Sequence, residues 1–172
     1  MKRYLLSVAA FLFFTVQLQA QAQYEISRDT NHTGAKVLKG IINKYLVQSD
    51  TAFSWYKPNQ TAYTPDTATL NAFKRTKGKM QFVLFGGTWC EDTQFILPRF
   101  FKLQEMSGVP DNTITFFGVN RDKKSLGNIA EAFGITNVPT IIVMKNGVEV
   151  GRVVEYGKAG KWDEELAEIL KK

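Results

Sequence analysis

Apolar residues along this chain fall into spaced stripes and short runs, separated by Gly, Pro, Asn and Thr. Residues 23–33 are polar and irregular, and read as a flexible lead-in. From Gly34 to Val47, the residues Val37, Leu38, Ile41, Ile42 and Tyr45 recur at helical spacing and predict an amphipathic helix. Ser49 to Pro65 is rich in Thr, Asn and Pro, and reads as a loop with a short strand around Phe53 to Tyr56. Asp66 is placed to cap a helix that carries Leu70 and Phe73 on one face and ends near Gly78. Met80 to Phe85 is a near-continuous apolar run, the mark of a strand buried on both faces.

Gly86 and Gly87 break that run. Thr88-Trp89-Cys90 then leads into a helix bearing Phe95, Ile96, Phe100 and Leu103, with a kinking Pro98 inside it. Thr113 to Val119 reads as a second buried strand, and Leu126 to Phe133 as a helix closed by Gly134. Thr140 to Met144 and Val148 to Val154 are strands joined by Asn146-Gly147, a two-residue hairpin signal. Trp162 to Leu170 is a last amphipathic helix. From Met80 the order is therefore β-α-β-α-β-β-α, which predicts an α/β fold with a mixed central sheet and helices on both faces. The predicted helix before it makes an N-terminal helical extension.

The first residues follow a different logic. Lys2 and Arg3 precede an uncharged apolar run from Leu5 to Val16, and Ala20-Gln21-Ala22 supplies a small-x-small cleavage pattern. That is the order of a secretory signal peptide, and the run is well short of the ~20 apolar residues of a membrane span. Residues 1–22 are thus expected to be removed, with the mature chain starting near Gln21 or Gln23, outside the membrane, in the periplasm or the medium. Residues 34–172 form the expected domain.

The 172-residue chain has 44% hydrophobic and 22% charged residues, an ordinary globular composition for one domain. Its formal charge of +6 drops by two, to +4, when Lys2 and Arg3 are lost, because residues 1–22 hold no acid. So mild a basicity does not argue for nucleic acid. Lys74, Arg75, Lys77 and Lys79 surround Gly78 and read as a solvated turn.

Cysteine usage changes the picture most. Cys90 is the only cysteine, so no disulfide can form within the chain, and one between two chains through Cys90 stays open. It follows a buried strand and begins a helix, where unpaired N–H groups and the helix dipole favour a thiolate. His32 is the only histidine and lies in the polar lead-in, which disfavours a Cys-His pair and a zinc site; no cofactor or metal is expected. No phosphate-cradling Gly-x-x-x-x-Gly-Lys run is present.

Residues 80–157 resemble thioredoxin. The resemblance rests on Phe85-Gly86-Gly87-Thr88-Trp89-Cys90, on Pro98 eight residues after the cysteine, on Phe133-Gly134-Ile135-Thr136-Asn137-Val138-Pro139-Thr140, and on Lys145-Asn146-Gly147. It implies a thioredoxin-like fold, a cis bond before Pro139, and a groove between Trp89-Cys90 and Val138-Pro139. In that groove the backbone of Val138 would pair with an extended partner chain. Peroxiredoxin is a poorer match, since Gly87 stands where that family has Thr or Ser.

Two departures qualify the resemblance. The family's Cys-x-x-Cys reads Cys90-Glu91-Asp92-Thr93 here, and Leu84 stands where thioredoxin keeps a buried acid. Without a second thiol, a mixed disulfide at Cys90 has to be resolved from outside. Thr93 is expected to turn its hydroxyl toward the Cys90 sulfur, while Glu91 and Asp92 serve the helix N-terminus. Two readings follow. In one, Cys90 exchanges with protein thiols or disulfides, or with a small thiol, with Thr93 tuning the sulfur and Trp89, Val138 and Pro139 holding the partner. In the other, the domain is redox-inactive and the groove binds peptide or protein.

Overall fold

The structure, a computed structural model, describes residues 22–31, 34–76 and 78–172. The expected signal peptide lies outside the described residues except for Ala22, as do His32 and Lys77. The strands are β1 (Tyr24–Arg28), β2 (Lys36–Ile42), β3 (Gln81–Gly86), β4 (Ile114–Gly118), β5 (Thr140–Lys145) and β6 (Val148–Val154). They form one mixed sheet in the order β1-β2-β4-β3-β5-β6, in which only the β3–β4 pair is parallel. The helices are α1 (Lys44–Ser49), α2 (Tyr56–Thr61), α3 (Thr67–Arg75), α4 (Glu91–Ser107), α5 (Ile129–Ala132) and α6 (Trp162–Ile169).

Strand alternation sends side chains into two cores. Phe82, Leu84, Ile141 and Val143 pack with Phe73 of α3, Ile96 and Phe100 of α4 and Leu166 of α6. Phe85 and Ile142 pack on the opposite side with Ala130 of α5, Ile135 and Val138. Phe82 stacks on Phe73 at 5.6 Å and meets the edge of Phe100 at 5.5 Å. Truncation of such a fully buried ring costs about 3–5 kcal/mol.

From Asp66 onward the predicted elements are observed. Asp66 caps α3 by accepting from Ala68 N and Thr69 N at 2.8 and 3.0 Å. Asn146 and Gly147 both have positive φ, as a two-residue hairpin turn between β5 and β6 requires. The predicted helix over 126–133 is shorter, because Gly127 turns with φ +62 and α5 starts only at Ile129.

The N-terminal third differs from its reading. Residues 36–42 form a central strand, not a helix, so the extension is a β-hairpin followed by short helices. Val37 and Leu38 are neighbours that face opposite covered sides of the sheet, a pattern that helical spacing imitates. Gly40 carries the distinguishing signal: at φ +122, a Cβ there would stand 2.4 Å from Gln23 O. Residues 24–28, read as irregular, pair with β2 as an edge strand. Four of the five residues of β1 are exposed, so backbone bonds hold it and no apolar alternation marks it. The short strand predicted near Phe53 is a 3-10 turn (Thr51–Phe53) leading into α2, with Phe53 and Tyr56 buried at helical spacing. Pro58 sits in the first turn of α2, where a missing N–H is tolerated.

Candidate active site

The site begins where β3 ends. Gly86 leaves the sheet in contact with Leu97 and Thr93, so that a Cβ on it would come within 2.7 Å of Leu97. Gly87 makes room for the folded-back indole of Trp89; an added Cβ would lie 2.5 Å from that ring. Cys90 N donates to Gly87 O at 2.9 Å and closes the turn. Cys90 then occupies the N-cap of α4 in extended conformation, and its carbonyl accepts from Gln94 N at 2.9 Å. Its half-buried thiol donates to Val138 O at 3.2 Å.

Val138 and Pro139 arrive from the opposite direction on the segment before β5. The bond between them is cis, as the resemblance implied, and both residues are buried. Glu155 N donates to Pro139 O at 2.7 Å, and the Thr140 hydroxyl donates to Asn137 O at 2.7 Å. The structure therefore packs Trp89 and Cys90 against the cluster that holds Val138, with Pro139 next to it in the chain.

Thr93 is 1% exposed and its hydroxyl accepts from Gly87 N at 3.2 Å. Its hydrogen bond thus supports the loop, whereas a bond to the sulfur was expected. Leu84 is fully buried in the larger core, between Phe116 and Ile141 of the neighbouring strands. That position therefore offers no carboxylate for proton transfer. Glu91 and Asp92 lie in the first turn of α4, where acids complement the helix dipole.

A cleft of about 270 Å³ beside the thiol is lined by Trp89, Cys90, Glu91, Asp92 and Arg121. The Trp89 indole N–H donates to Val119 O at 2.9 Å, and the Arg121 guanidinium stands 4.6 Å from the ring centroid. Asp29 accepts from that guanidinium and holds the Arg121 pKa above its ordinary value, with a smaller contribution from Cys90. Tyr156 packs 5.7 Å from Phe95 of α4; burial, then the charge of Asp92, pushes its phenol up. A larger cleft, about 690 Å³, runs along β1 past Ile26, Arg28 and Lys36, away from the thiol. Among the described residues, no three His, Cys, Asp or Glu side chains cluster to hold a metal.

The sequence gives Gly87 and Thr88 a place in the motif without a role in the site, and leaves Asp29 and Arg121 unmarked. The Gly-Gly pair before Thr88-Trp89 was the signal for the first. Asp29 and Arg121 are 92 residues apart and carry none.

The thioredoxin family model matches residues 66–172. A thioredoxin from Echinococcus granulosus is 37% identical over 44% of this chain and 65% of its own length. The thioredoxin-like protein R548 of Acanthamoeba polyphaga mimivirus is 29% identical over 54% of this chain and 67% of its own. The solved thioredoxin NaTrxh from Nicotiana alata aligns at 31% identity over 59% of this chain and 79% of that one, with a TM-score of 0.38. The chain belongs to the thioredoxin family. It spans about two thirds of the length of the curated relatives that it matches.

Proposed function

We propose that this is an exported thioredoxin-family redox protein that works with one thiol. The observation that carries this reading is the half-buried Cys90 thiol, which meets Val138 O at 3.2 Å beside Pro139 and an open cleft. The Cys90 thiolate attacks a partner disulfide, forms one mixed disulfide and expels the second partner sulfur as a thiolate. A separate thiol, from a protein or a small molecule, then attacks the partner sulfur of the mixed disulfide, forms a new disulfide with it and releases Cys90 as the thiolate. Val138 and Pro139 hold the partner backbone, and Trp89 walls the approach. Thr93 contributes by fixing the loop through Gly87.

Mass spectrometry of protein purified from its own compartment tests the reading. A disulfide-bonded adduct on Cys90, removed by reductant and absent from Cys90→Ser, is expected. A thiol that stays unmodified and forms no adduct with disulfide-bearing peptides would overturn it. Export is supported by Lys2, Arg3, the run from Leu5 to Val16 and Ala20-Gln21-Ala22. N-terminal sequencing should find a mature start near Gln21 or Gln23, in the periplasm or the medium.

A second reading, a redox-inactive module that binds peptides in the same groove, is favoured by the buried Leu84 and by the Thr93 bond to Gly87. Partner capture unaffected by Cys90→Ser would select it.

A further inference from the structure

The hairpin β1–β2 precedes the family-matched residues 66–172, yet it is tied to the thiol site at two points. The first is Thr88, directly before Trp89. Its buried hydroxyl donates to Lys36 O at 2.8 Å and accepts from Leu38 N at 3.3 Å, so the loop is anchored on β2. The second runs through Asp29, just past β1. Asp29 N donates to Ala35 O at 2.8 Å, and its Oδ1 accepts from Asn31 N at 3.0 Å, which sets the turn toward β2.

The Asp29 carboxylate, 3% exposed, also receives Arg121. Arg121 Nε donates to both carboxylate oxygens at 2.9 Å, and Nη2 donates to Oδ2 at 2.6 Å. A two-pronged contact of this kind fixes the plane of the guanidinium as well as its position. That fixed cation stands 4.6 Å from the Trp89 ring centroid, while Val119 O holds the indole N–H. Lys123 Nζ is more distant, at 6.0 Å. Arg121 also lines the cleft beside Cys90.

The geometry points to Asp29 and Arg121 as a positioning pair that holds Trp89 as the wall of the groove, so that the N-terminal hairpin helps present Cys90 to an extended partner chain. This rests on thiol exchange at Cys90. A chain lying along the groove uses the Trp89 wall over several residues. A small disulfide reaches the sulfur without it. Loss of the pair therefore acts on peptide capture more than on the intrinsic attack by sulfur, since Cys90 is the smallest of the influences on the Arg121 charge.

The test uses the full chain carrying Arg121→Gln, Arg121→Lys or Asp29→Asn, each checked by circular dichroism to be folded at the assay temperature, since loss of a partner of the buried Asp29 lowers stability. Hydrogen exchange of the Trp89 indole N–H is followed by NMR, with Trp89→Phe assigning the signal. Capture rates of Cys90 are measured with a disulfide-bearing peptide and with the small neutral disulfide 4,4′-dithiodipyridine. In Arg121→Gln, indole exchange should rise and peptide capture fall, each about fivefold to tenfold, with the small disulfide within about twofold. Lys should not rescue, because it lacks the fork that Asp29 grips. A role confined to fold stability would not change the ratio of the two capture rates. A folded Arg121→Gln protein with either indole exchange or peptide capture unchanged would overturn the proposal; because Asn at 29 also disturbs the turn, the Arg121 variants decide. If the wild-type protein captures neither disulfide, thiol exchange itself fails, and the indole exchange alone judges the pair.

Discussion

The Cys90 thiol and the Val138 carbonyl face each other across 3.2 Å, with the sulfur as donor. Val138 is also the residue whose backbone an extended partner would use, by strand-like pairing. On the one-thiol reading proposed above, a docking chain would share that carbonyl with the thiol proton, since a carbonyl oxygen accepts up to two hydrogen bonds.

That contact sets an expectation for the cysteine itself. Cys90→Ser keeps a donor toward Val138 O and should lie within about 0.5 kcal/mol of wild-type stability. Cys90→Ala removes the donor and should cost about 1 kcal/mol. Urea unfolding of the two variants checks this, and equal stabilities would mean that the thiol contact contributes nothing to the fold.

Gly87 gives a second expectation. An alanine Cβ would meet the Trp89 ring at 2.5 to 2.9 Å, so the indole must move if Gly87→Ala folds. The ring is half-buried, and displacing it strains its bond to Val119 O, which places the stability loss near the ~1–3 kcal/mol of ordinary overpacking. Capture of a peptide disulfide should fall along with it. A crystal structure of the variant with Trp89 in its original position would contradict this account.

How much of this was legible in the chain depends on whether a residue's partners are local or distant. Met80 to Phe85 and Asn146-Gly147 carry their own signals, a buried run and a turn that needs positive φ. Cys90 and Val138-Pro139 were readable because both sit in motifs that the family shares. The residues of β2 were misread because a strand covered on both faces presents apolar doublets that also fit a helix. β1 left almost no side-chain trace, being exposed at the edge of the sheet. Asp29, Arg121 and the Thr88 anchor depend on segments that only the folded sheet brings together. Thr93 was placed in the right loop, but its hydrogen bond serves Gly87, a matter of side-chain direction that spacing does not determine.

Acid sensitivity follows from a cluster at the start of α1. The buried Lys44 reaches Asp111 at 2.9 Å and Glu105 at 3.1 Å, and Tyr45 also donates to Asp111. The Tyr45 hydrogen bond, then that of Lys44, holds the Asp111 carboxyl below its ordinary 3.8. A carboxyl depressed on folding stabilises the protein above its unfolded pKa, and that contribution disappears as pH falls through the folded value. Asp111 is half exposed, so solvent screens these contacts: Asp111→Asn should cost about 0.5 kcal/mol at pH 7 and progressively less below about pH 4. Chemical denaturation across that range reads it; a pH-independent difference between the proteins would place the stabilisation elsewhere.

Thr93 separates the role of the fold from the role of the missing second thiol. Its hydroxyl satisfies Gly87 N at 3.2 Å in a buried site, so Thr93→Val strands that donor and should cost about 1–3 kcal/mol. Thr93→Cys restores the two-thiol spacing at the start of α4. A second thiolate there can attack the mixed disulfide at Cys90, release the partner as a thiol and leave an internal disulfide. Dithiothreitol returns that disulfide to two thiols, and the cycle then repeats. The variant should thus catalyse dithiothreitol-driven reduction of insulin disulfides above the level of the wild-type protein. Leu84 remains apolar and fully buried, so it offers no group for proton transfer. Leu84→Asp cannot simply supply that help, because an unpaired carboxyl in this core would cost several kcal/mol on the scale of ~2–7 for buried polar groups. If Thr93→Cys folds and still gives no turnover, the block lies in the groove or in Leu84, and the one-thiol account of this site is incomplete.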